Sequence, residues 1–110
     1  MTMPTLNDLK DYCGIDYTDG MVERNLTRDL ATAVATLKGA IGEDIEDVLP
    51  DDSRVAELVL IYGEDLYSKR GVLNEDSAKV SGSTRRMTND LETQLRLEYR
   101  KAKEAGANGI

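Results

Sequence analysis

The sequence predicts an all-α fold, a small bundle of about four helices with a long loop before the last one. Three observations predict it. Apolar residues recur at helical spacing through the longest segments. The 110 residues include no Trp and no Phe, so the core must come from Leu, Ile, Val, Ala, Met and five Tyr, a set that suits packed helices better than strands. The single stretch that reads as a brief strand, Ala78 to Ser81, has no second strand to pair with.

A short helix is predicted over Thr5 to Tyr12. Thr5 and Asn7 are both candidate caps, and Leu6 and Leu9 share a face. Gly14 stops it, and Ile15 to Asp19 read as a connecting loop. A long helix follows over Gly20 to Ile41. Val22, Leu26, Leu30, Ala33, Val34, Leu37 and Ile41 form one continuous apolar stripe. Asp19 is its natural cap, Glu23 suits the positive end of the dipole, and Gly39 and Gly42 weaken and then end it.

Residues Glu43 to Asp52 form an acidic connector in which Ile45, Val48 and Leu49 allow a short helical turn. Pro50 fits just before a helix start. The next helix, Asp52 to Arg70, is the clearest element. Val55, Leu58, Val59, Tyr62 and Leu66, widened by Leu60 and Ile61, make its apolar face so broad that it must touch neighbours on more than one side. Gly63 interrupts it at a cost of about 1 kcal/mol relative to Ala. Close approach of a neighbouring helix would explain that glycine, and a mild kink is the alternative. Lys69 and Arg70 suit the last turn, and Gly71 the stop.

Residues Val72 to Met87 show no strong period and read as a long loop, which in a compact domain is either functional or flexible. The last helix is predicted over Asn89 to Ala105. Thr88 to Glu92 resembles a capping box, and Leu91, Leu95, Tyr99 and Ala102 share one face. The whole chain, residues 1–110, reads as a single domain, with 106–110 expected to be a disordered tail.

The net charge is −7, which disfavours general nucleic-acid binding and docking on anionic membranes. It favours basic protein partners. The charge is unevenly spread. Residues 1–68 hold 15 acids and 5 bases, a net of −10, whereas 69–110 hold 6 acids and 9 bases, a net of +3. A chain with an acidic and a mildly basic part can dock head to side on a copy of itself. Cys13 is the one cysteine, so no intramolecular disulfide can form, and a reducing cytoplasm is expected. Met1 to Lys10 has neither a basic start nor an apolar run, so no signal peptide is expected there.

No catalytic set stands out, and an enzyme is not expected. There is no His, so neither a Ser-His-Asp arrangement nor a His-activated thiolate can exist. The carboxylates Glu43, Asp44, Glu46, Asp47, Asp51 and Asp52 lack the EF-hand alternation, and a solvated acidic loop accounts for them. Glu64 and Asp65 read as ordinary helix charges. Ser81-Gly82-Ser83-Thr84 lacks the second Gly and the Lys of a phosphate loop. Arg85-Arg86 is the most basic short feature, fitting contact with an acidic protein surface or with a DNA phosphate, or else two solvated arginines before a helix. No cofactor and no metal are expected.

The order of parts resembles a known family, the phage head–tail connector (adaptor) proteins, also labelled phage DNA-packaging proteins. The features that carry it are Leu9-Lys10-Asp11-Tyr12 before Ile15-Asp16, the long Ala- and Leu-rich helix, and Asp51-Asp52 leading into Val55 to Arg70. A polar loop and a last helix with Leu95-Arg96-Leu97-Glu98-Tyr99-Arg100 complete the pattern, which covers about residues 5–103. One departure is visible: the family often has a His-Trp or similar aromatic pair where this chain has Tyr62-Gly63. The resemblance implies a structural subunit of a tailed phage or prophage, assembling with itself as a ring of about a dozen copies below the portal. Such a ring extends the DNA channel, with DNA only as cargo, and docks tail or stopper proteins. It would be made in the bacterial host cytoplasm and reside in the virion neck. The resemblance places Lys69, Arg70, Arg85 and Arg86 at subunit or portal contacts. The alternative is a small cytoplasmic helical adaptor or regulator acting as a monomer or dimer.

Overall fold

The structure is a computed structural model that describes residues 3–71 and 82–108. Among these residues the fold is all-α, with five helices and no strand. They are α1 (Leu6–Tyr12), α2 (Gly20–Ala40), α3 (Ile45–Val48), α4 (Ser53–Gly71) and α5 (Gly82–Asn108).

Local chemistry sets the helix starts. Thr5 caps α1 through a complete capping box: its Oγ1 accepts from the Asp8 amide, and the Asp8 carboxylate accepts from the Thr5 amide at 2.8 Å. Of the two candidate caps, Thr5 is the one used. Cys13 closes α1, and Gly14 follows at φ +75°, a backbone state that favours glycine. Asp19 caps α2 by accepting from the amides of Met21 and Val22.

Two linked apolar clusters hold the helices together. The larger joins Ala33 and Leu37 of α2, Ile45 of α3, Val55, Leu58 and Val59 of α4, and Leu95 of α5, all fully buried. Each large aliphatic side chain there contributes about 1.5–3 kcal/mol by leaving water. The smaller cluster joins Leu9, Ile15 and Leu26, and Leu30 of α2 packs against both. The several neighbours expected of the helix over Asp52 to Arg70 are present, because α4 packs against α1, α2 and α5 at once.

Gly63 marks a close approach, not merely a bend. A Cβ there would sit 2.9 Å from one Leu9 methyl and 3.2 Å from the other. The missing side chain lets α1 press Leu9 onto α4. Gly42 does the same for another element: a Cβ there would overlap the Tyr99 ring. Its role goes beyond ending α2.

Three expectations need correction. Residues Gly82 to Met87, expected in the loop, form the start of α5. Arg and Met are strong helix formers and no breaker separates Gly82 from Asn89, so the helix extends through the polar stretch. Thr88 and Asn89 are therefore interior positions of α5 and not its caps. The helix also continues through Gly106 and Ala107 to Asn108, residues assigned to a tail from the sequence. The remainder of the expected loop, including the strand-like stretch Ala78 to Ser81, and residues 109–110 lie outside the described residues.

Candidate protein-docking surfaces

The acidic connector is clamped to its surroundings. Asp44 accepts hydrogen bonds from the Tyr99 hydroxyl and from Lys103 Nζ, the latter at 2.9 Å. These bonds hold the Asp44 carboxyl below its ordinary value and push Tyr99 and Lys103 above theirs. Glu46 pairs with Lys38 at 3.4 Å, and Asp52 with Arg54 at 2.6 Å. The guanidinium bonds of Arg54 are the main reason the Asp52 carboxyl sits below its usual range. The carboxylates thus reach cations on three different helices. Among the described residues no group of three or more His, Cys, Asp or Glu could hold a metal ion.

The α4–α5 contact fixes where the predicted site residues lie. The Tyr62 hydroxyl donates to Glu92, and Arg54 Nη1 donates to Gln94 at 3.3 Å. Burial, then the bond to Glu92, raises the Tyr62 phenol well above its ordinary value. Lys69 and Arg70 lie in the last two turns of α4, seven and eight residues beyond Tyr62. Arg85 and Arg86 lie in the first turns of α5, seven and six residues before Glu92. At ~1.5 Å per residue, both pairs are about 10 Å along their helices from that contact. Each lies toward the segment that joins the two helices. Arg86 is exposed, while the side chains of Lys69, Arg70 and Arg85 lie outside the described residues.

Two further surfaces escaped the sequence reading. The first is a groove of about 520 Å³ where the N-terminal segment and α1 meet α4. Met3, Ala56 and Leu60 give it an apolar lining, and Asp8, Asp11 and Tyr12 complete its wall. Burial raises the Tyr12 phenol, and the charges of Glu57 and Glu64 raise it further. The groove is therefore apolar within, with Asp8 and Asp11 in its wall and exposed Glu64 one turn of α4 beyond Leu60.

The second is the outward side of α5. Leu95 faces the core with no exposure, and Leu97, about 200° further round the helix, is 49% exposed. Thr93, Arg100, Lys101 and Glu104 are exposed around it, and Met87 is exposed near the other end. Arg96, beside Leu97, donates to the Ala40 carbonyl at 3.2 Å and pairs with Glu92 at 3.6 Å. The signal for this face was in the sequence: Leu97 breaks the apolar period set by Leu91, Leu95 and Tyr99.

Asp29 was also missed. It is 1% exposed and lies on the buried side of α2 between Leu26 and Ala33. Its spacing from both neighbours placed it on the apolar stripe. Cys13, half-buried at the end of α1, is pushed up to about 11 by burial, then by the charges of Glu64 and Asp29. That environment disfavours the nucleophilic thiolate.

No helix among the described residues is long and apolar enough to cross a membrane. No protein-family model matches the chain, and neither does any curated protein or any solved structure.

Proposed function

We propose that this chain is a structural head–tail connector subunit of a tailed phage or prophage. It assembles as a ring below the portal, extends the DNA channel, and docks tail or stopper proteins in the virion neck. The observation that carries this reading is the outward side of α5. This helix has 27 residues, yet Leu95 alone of its described side chains is buried, and exposed Met87 and Leu97 stand among arginines and lysines. A helix that long, with apolar residues left in water between cations, suits docking against further protein more than a solitary monomer. The ordered resemblance over residues 5–103 supports the same reading, and so does the net acidity, which would let DNA pass without sticking.

The test is electron microscopy of the purified chain alone and mixed with the portal ring from the same genome. Rings of this chain, or density capping the portal, are expected. A chain that stays monomeric or dimeric and leaves the portal bare would overturn the reading in favour of a monomeric or dimeric adaptor. Replacing Arg85 and Arg86 by Glu is expected to weaken assembly while leaving helicity intact. Unchanged assembly would remove both from the interface.

A further inference from the structure

We infer that the acidic groove between α1 and α4 is the socket for the outward face of α5 from a second copy of this chain. The inference rests on the self-assembly reading above and names the surfaces that would meet.

The two surfaces are complementary in charge and both carry apolar groups to bury. The groove presents Leu60 and Met3, with Asp8 and Asp11 in its wall and exposed Glu64 one turn of α4 beyond Leu60. The α5 face presents exposed Leu97 beside exposed Arg100 and Lys101, one turn further on. Leu97 would enter the groove while the two cations meet its carboxylates. Such a pairing of an apolar anchor with a charged rim gives both contact energy and register.

One chain cannot satisfy both surfaces by itself. Ala56 and Leu60 line the groove, whereas α5 is bonded to α4 through Arg54 and Tyr62. Positions 54 and 56, like 60 and 62, are about 200° apart round a helix. The groove and α5 therefore occupy nearly opposite sides of α4, and the outward face of α5 points further away still. Each copy thus offers one socket and one plug on different sides. That contact is heterologous, and repeated, it closes into a ring or runs on as a filament. The sequence carries the same polarity: the groove belongs to the part with a net charge of −10, and the plug to the part with +3.

The experiment is sedimentation velocity on the full chain and two variants. The socket variant carries Asp11→Lys and Glu64→Lys. Asp8 is left in place because it closes the capping box of α1. The plug variant carries Arg100→Glu and Lys101→Glu. Far-UV circular dichroism checks that each is folded. Each variant alone is expected to self-associate about tenfold or more weakly than the parent chain, since like charges are brought together. Mixed in equal amounts, they should form a heterodimer through the one intact socket and the one intact plug. A photo-crosslinker at position 97 should join the groove residues of another copy. Variants that assemble like the parent overturn the socket and leave self-assembly standing. A parent chain that stays monomeric at every concentration, with no crosslink from position 97, also overturns it. The portal-docking reading is then judged separately by microscopy with the portal.

Discussion

The contact between Leu9 and Gly63 predicts a substitution whose effect changes sign with its neighbour. Gly63→Ala in an exposed helix would stabilise by about 1 kcal/mol through backbone propensity. Here the new methyl would lie 2.9 Å and 3.2 Å from the Leu9 δ-carbons. Leu9 is fully buried and cannot swing into solvent, so the methyl costs about 1–3 kcal/mol of overpacking. The net effect is a loss of about 0–2 kcal/mol. Leu9→Val removes the δ-carbons and by itself costs about 1 kcal/mol for the lost methylene. In the Leu9→Val background the clash is gone, and Gly63→Ala should stabilise by about 1 kcal/mol. The coupling between the two sites is thus about 1–3 kcal/mol, within the range measured for residues in contact. All four chains should remain folded, given the ~5–15 kcal/mol typical of natural domains. Urea denaturation followed by far-UV circular dichroism reads the cycle directly. If Gly63→Ala stabilised equally in both backgrounds, α1 would not press on α4 at this point.

Gly42→Ala should force the Tyr99 ring aside and break its bond to Asp44, lowering stability by about 1–3 kcal/mol. Thermal denaturation checks this, and a midpoint within a degree or so of the parent would refute it. The pH dependence follows from the same cluster. Asp44 and Asp52 both have folded values below their ordinary 3.8, so their stabilising contributions are present above that value. Those contributions are lost as the pH falls through the lower folded values. Urea midpoints of Asp44→Asn should therefore decline less steeply in acid than those of the parent, and parallel curves would contradict the assignment. At the alkaline end Tyr99 and Lys103 are raised, so their contributions are complete below their ordinary 10.0 and 10.5. They fade as the pH rises through the folded values. Cys13, pushed up to about 11 from an ordinary 9.0, should be alkylated at pH 8 about 100-fold more slowly than a free thiol. Denatured protein supplies the reference, and equal rates would show the thiol to be neither buried nor opposed by Glu64.

The helical class, the cap at Asp19 and the core faces of α2 and α4 were legible in the sequence, and the cap of α1 was narrowed there to Thr5 or Asn7. These are local properties: a cap needs a side chain two or three residues from an amide, and a face needs only the period of the helix. The breadth of the apolar face on α4 also foretold neighbours on several sides, because too much apolar surface for one partner is visible in a single segment. The start of α5 was not legible in the same way, since a run with no apolar period gives no sign of whether it continues a helix. The tertiary structure alone decided which neighbour Gly63 admits, why Gly42 carries no side chain, and where the acidic connector finds its cations. Asp44 lies 55 residues from Tyr99 and 59 from Lys103. The groove belongs to the same class, because Asp11 and Leu60 sit far apart in the chain and meet only when α1 lies on α4. Such pairings depend on how helices cross, which no local pattern encodes. The outward face of α5 stands between the two cases. Leu97 was out of step with its helix in the sequence, but its exposure depended on which side of α5 turned to the core.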